Sequence, residues 1–170
     1  MTDTSYSKRT SLYLRNIIFG AEDSLVSTVG LLAGIAIGKS SATQILLTGV
    51  VYLFVGGFSM AAGSYLSEHS AQEYETGTHV KDNGPLFGAI AMFFSFILSG
   101  FGLILPYLFF PIASGIFTSI VLSIILLAIL GYAQGKISKV SPLRSTIRMV
   151  VIGGIAIILG VVIGKFLGIA

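Results

Sequence analysis

Five apolar runs, at 16–38, 43–67, 86–110, 112–134 and 146–169, are separated by interruptions that range from Pro111 alone to the polar stretch 68–85. Each exceeds the ~20 residues that a helix rising ~1.5 Å per residue needs to cross about 30 Å of hydrocarbon. Strands are shorter and alternate in polarity, and none of these runs does. The pattern predicts an all-α polytopic membrane protein with five transmembrane helices. A segment over 1–15 precedes one membrane domain over 16–170. Pro106 and then Pro111 should kink or end the third helix, since each removes a backbone donor and crowds the preceding turn. A very short connection to the fourth helix follows. Residues 1–12 lack the basic, apolar and small-residue sections of a signal peptide, so the first run is expected to stay in the mature protein.

Composition agrees: 54% of residues are hydrophobic and 10% charged, where a soluble domain carries about 25% charge. The 21 glycines suit helices that approach closely in lipid. Gly30, Gly34 and Gly38 repeat every fourth residue, as do Gly160, Gly164 and Gly168. Each trio shares a helical face and implies tight helix packing, within the chain or across a dimer, without chemistry. The absence of cysteine excludes disulfides, thiolate metal sites and iron–sulfur ligation. A metal could be held only by oxygen, imidazole or thioether.

The net charge of +3 does not imply nucleic acid, because the bases are dispersed and flank the apolar runs. With five crossings, Lys8, Arg9, Arg15, Lys81, Lys136, Lys139, Arg144 and Arg148 fall on one side, and Lys39 and Lys165 on the other. The positive-inside rule then makes the N-terminus cytoplasmic and the C-terminus external or lumenal.

Two adjacent acids, Glu22 and Asp23, lie in the first run. A carboxylate at membrane depth is strongly disfavoured unless it is protonated, paired or bound to a cation, so it marks a candidate ion or proton site. Asp23 and Ser27 are four apart and share a face, presenting carboxylate and hydroxyl one turn apart. On the second helix Met60, Ser64, Ser67 and Glu68 form one broad stripe. Carboxylate and hydroxyl suit hard or borderline divalent ions, and a thioether shifts preference toward ferrous iron over magnesium or calcium. Both histidines fall outside the spans, which argues against a tetrahedral zinc site in the membrane. Each residue has a plainer reading. Asp23 could pair with Arg15, Glu22 could reach the interface, Met60 could fill a core gap, and Ser64 could bond its own helix. The connection bearing Glu68, His69, Glu73, Glu75, His79 and Asp82 reads either as a solvated acidic loop or as a funnel collecting cations. On a continued second helix His69 and Glu73 would share a face.

Enzyme signatures are absent: there is no His-Glu-x-x-His and no Gly-x-Ser-x-Gly, and Gly38-Lys39-Ser40 lacks the rest of a phosphate-binding loop. The stretches Gly20-Ala-Glu-Asp23-Ser-Leu-Val-Ser-Thr-Val-Gly30 and Gly56-Gly-Phe-Ser-Met60-Ala-Ala-Gly63-Ser-Tyr65-Leu-Ser67, followed by polar Glu68 to Glu75, resemble the vacuolar iron transporter family, which includes the nodulin-21-like proteins. The Leu-Ile-Leu-Pro106-Tyr segment and Leu143-Arg-Ser-Thr-Ile-Arg148-Met match more loosely. The resemblance implies a homodimer that moves ferrous iron or manganese out of the cytosol in exchange for protons. No cofactor is implied beyond the transported Fe2+ or Mn2+. Together with the reading of the residues, the metal is expected at Asp23, Met60, Glu22, Ser27 and Ser64, with Glu68, His69, Glu73 and Glu75 as a candidate cytosolic collecting surface. The resemblance also implies the plasma membrane of a prokaryote or an organelle membrane of a eukaryote. Three departures stand out: Ser24 and Glu22 flank Asp23 where the family has Gly and an uncharged residue, Ser64 replaces a Glu, and the long cytosolic insertion is missing. A channel-like pathway and a non-transporting membrane scaffold are the alternative readings.

Overall fold

The computed structural model describes residues 2–79 and 82–168, and the side chains from residue 9 onward. Six helices follow in order: α1 (Thr2–Ile37), α2 (Ala42–Thr76), α3 (Gly84–Ile104), a single turn α4 (Pro106–Phe109), α5 (Ile112–Ile137) and α6 (Pro142–Leu167). Five of them are long and apolar enough to cross a membrane, so the chain is an all-helical polytopic membrane protein. Lys81 and the expected end of the last span at Ile169 lie outside the described residues.

Local chemistry sets the boundaries. Ser41 caps α2 by accepting from the Gln44 amide at 3.3 Å, while the Gln44 side chain accepts from the Ser41 amide at 2.8 Å. Gly77, at φ +64°, ends α2 with its amide on the Glu73 carbonyl at 2.8 Å. Pro106 closes α3 and begins the α4 turn, and Pro111 precedes α5, as the proline spacing predicts. Two helices outrun their apolar segments. α1 begins at Thr2, before the first run at 16, and α2 continues to Thr76 beyond 67. No proline or glycine interrupts either extension, so the helical hydrogen-bond ladder continues into polar sequence.

α1 is the central helix. Of its apolar window 61% is buried, against 11% for α6, and it packs against α2, α3, α5 and α6. One cluster gathers Leu32, Ile45, Leu53, Phe96 and Ile104 around α1, α2 and α3; a second gathers Leu25, Val29, Leu103, Leu127 and Ile157 around α1, α5 and α6. The outer faces expose Phe58, Leu98, Phe117 and Ile158, as a lipid-facing surface does.

The two glycine trios meet each other within one chain. A methyl on Gly34 would sit 2.7 Å from the Gly160 carbonyl oxygen, and one on Gly160 or Gly164 would run into the backbone of Gly30 or Gly34. Only glycine admits this approach of α1 to α6. At the other end of the bundle the start of α1, the end of α2 and the loop before α3 are tied together. Arg15 pairs with Glu68 at 2.9 Å and Arg9 with Asp82 at 3.0 Å.

Candidate metal site

Glu22 and Asp23 sit about midway along α1, each half-buried. Among the described residues neither carboxylate accepts a hydrogen bond or pairs with a base within 4 Å. Arg15, the counter-ion that the plainer reading gives Asp23, is committed to Glu68 instead. Two adjacent half-buried carboxylates in an apolar span thus lack a protein partner among the described residues, an arrangement that is costly unless a proton, a cation or water compensates the charge.

Glu22 opens onto a cleft of about 770 Å³ beside α1, α2, α3 and the end of α5. Met60 and Ser64 of α2 line the same cleft, so three of the five expected ligands converge there. Asn16 completes that wall. It is 2% exposed, and its side-chain oxygen accepts from the Ser64 hydroxyl at 3.0 Å. Ser64 therefore bonds across to α1, rather than to its own helix. The Asn16 Nδ2 has no partner among the described residues. Gln134 and Ser138 enter the cleft from α5, and Gln134 Oε1 lies 3.5 Å from Arg148 Nη2 on α6.

Asp23 does not line that cleft, and Ser27, four residues on, turns the other way. The Ser27 hydroxyl donates to the Asp23 carbonyl, and Tyr52 of α2 approaches both residues. Ser27 lines a second groove, of about 500 Å³, which runs between α1 and α6 along their glycines to Gly38 and Gly168. Along α1 the order is therefore Glu22 on the first cleft, Asp23, then Val26 and Ser27 on the second groove. Glu22 lines the first opening, and the second begins one turn further along α1, at Val26 and Ser27.

The polar end of α2 is largely tied up internally. Glu68 holds Arg15 and accepts from Gln72 at 3.2 Å. Glu73 is bracketed by His79 Nδ1 at 2.8 Å and His69 Nδ1 at 3.7 Å, on the shared face expected of a continued helix. Glu75 is exposed. Among the described residues no three His, Asp or Glu side chains are close enough together to hold a metal. Asn16, Gln134 and Arg148 were not read from the sequence as residues of the site. An amide directly after Arg15, at the start of an apolar run, was the available signal for Asn16; nothing local marks the other two.

The chain matches the family model described as the VIT family over residues 14–84 and 72–165. It is 31% identical over 167 residues to vacuolar iron transporter homolog 4 of Arabidopsis thaliana, covering 90% of this chain and 82% of that protein. With vacuolar iron transporter homolog 2 of the same plant the identity is 27% over 177 residues, covering 98% and 90%. Vacuolar iron transporter 1 of Eucalyptus grandis shares 30% over 86 residues, covering 49% of this chain and 34% of that protein.

Proposed function

The chain belongs to the VIT family, and from that premise we propose that it exports a divalent transition metal, ferrous iron first and manganese second, from the cytosol in exchange for protons. The observation that carries this reading is the acid pair without an ion-pair partner on α1, with Glu22 on the cleft that Met60 and Ser64 also line. The first cleft faces the end that carries most of the bases, which the positive-inside rule makes cytosolic. A hydrated divalent ion enters there and exchanges water for the Glu22 carboxylate, the Ser64 hydroxyl and the Met60 thioether. Asp23 then receives it on the side of the second groove, with Ser27 beside it.

The coupling follows from the shared ligand. A carboxylate in a low dielectric is stabilised either by a proton or by a cation, so metal binding releases a proton and reprotonation expels the metal. The exchange is reciprocal, and metal affinity must fall as protons become more abundant. One chain offers few ligands, whereas borderline divalent ions take about six. A second copy facing the first cleft would supply the remainder, so the working unit is a homodimer. By analogy with relatives named as vacuolar transporters, the membrane is that of a storage organelle if the source cell has one.

Purified protein in liposomes, with an imposed pH gradient and a panel of iron, manganese, zinc and cobalt, tests this reading. It predicts accumulation of iron and manganese above the external concentration. Flux that stops at equilibrium would return the channel reading, and no flux of any metal would return the scaffold.

A further inference from the structure

Arg148 lies in the second turn of α6, facing the C-terminal turn of α5. Its Nη2 is 3.5 Å from Gln134 Oε1, and Gln134 lines the same cleft as Glu22. Arg148 forms no ion pair with Glu22 within 4 Å, and its contact with Gln134 places its guanidinium beside the cleft that Glu22 lines. The other nearby charges are assigned: Asp23 adds a second negative charge to Glu22, and Arg15, at the rim of the cleft, is held by Glu68. We propose that Arg148 is a tethered counter-cation of Glu22, held off by Gln134, which sets the preference of the cleft for divalent over monovalent ions.

The physical argument is one of competition. Two unpaired carboxylates alone would attract potassium and sodium, which are far more abundant in cells than any transition metal. A guanidinium tethered by Gln134 beside them, although itself exposed, offsets part of that negative charge. A monovalent ion then gains little by binding. A divalent ion still gains, because it carries twice the charge against the same repulsion. Once the ion leaves, the long arginine side chain can move from Gln134 onto Glu22 and hold it until the next ion displaces it. Arg148 is in this account a positioning and selectivity residue, not a ligand.

The inference rests on the reading that Glu22 binds the transported ion. It is tested on the full chain in detergent by calorimetric titration with Mn2+, in buffers containing either potassium or N-methylglucamine. In the wild type, exchanging these buffers should leave Mn2+ affinity nearly unchanged. Arg148→Gln should bind Mn2+ about tenfold more tightly without potassium and lose that gain when potassium is present. Arg148→Lys should behave as wild type. Gln134→Leu should shift affinity the opposite way, weakening Mn2+ binding about fivefold by freeing Arg148 to sit on Glu22. That sign reversal is not expected of a residue that merely supports the fold, and it decides the matter if Arg148→Gln does not fold. In a Glu22→Gln background Arg148→Gln should have no effect. Binding by the wild type with no change in either Arg148→Gln or Gln134→Leu would overturn this inference alone. Absence of any Mn2+ binding by the wild type would overturn the transport reading and this inference with it.

Discussion

Asp23 and Glu22 differ by one position and by about 100° around α1, and that angle separates their surroundings. Glu22 faces the cleft with Met60 and Ser64, whereas Asp23 shares its side of the helix with Ser27 and Tyr52. Asp23→Asn should abolish metal transport while leaving thermal unfolding in detergent within a few degrees of wild type, because Asn keeps the size and hydrogen bonding of Asp without its charge. Ser64→Glu should be tolerated and should bind Mn2+ more tightly by calorimetry, since the unpartnered Asn16 Nδ2 offers a donor that a carboxylate can use. Loss of the folded state in Ser64→Glu would show that the pocket beside Asn16 has no room for the longer side chain. The acids were legible in the sequence because charge in an apolar run is rare and self-announcing. The role of Asn16 was not, because its partner lies 48 residues away and only the fold brings them together. Arg15 shows the same limit: proximity in sequence suggested Asp23, and the helix 2 extension supplied Glu68 instead.

At the level of elements, run length and proline placement were sufficient to find the spans and the broken turn after α3. They did not place the helix ends. Polar residues carry on a helix as readily as apolar ones when no Pro or Gly intervenes, so α1 starts at Thr2 and α2 ends only at Gly77. The glycine spacing announced tight packing and left the partner open. The structure pairs α1 with α6 inside one chain, leaving any dimer contact to other faces. Gly164→Ala should therefore destabilise the fold by about 1–3 kcal/mol, because its methyl meets the Gly34 backbone. Gly154→Ala, in open space on the same helix, should be neutral or slightly stabilising. Thermal unfolding of the two variants in detergent checks the contrast; equal effects would mean that the α1–α6 seam is looser than described.

For the molecule as a whole, the bases cluster at the end where α1 begins, α2 ends and α5 meets α6. Single cysteines at Ser5, Ser41 and Ser138 have no native thiol background. Ser5 and Ser138 should react with an impermeant reagent from the cytoplasmic side, and Ser41 only from the opposite side. Labelling of all three from one side would break the five-span arrangement. The ties at that end, Arg15–Glu68 and Arg9–Asp82, have exposed arginines and each should add no more than about 1 kcal/mol. Glu68→Gln should accordingly leave stability almost unchanged in chemical denaturation.

The central claim is that a metal ion and a proton exchange at the acid pair of α1. Its most direct measurement uses liposomes that carry the protein, enclose a pH dye and have an acidic lumen, with Mn2+ or Fe2+ added outside. The account predicts metal uptake above equilibrium, accompanied by lumenal alkalinisation, and the loss of both in Asp23→Asn. Metal flux without proton counterflow or accumulation, or unchanged transport by Asp23→Asn, would contradict it.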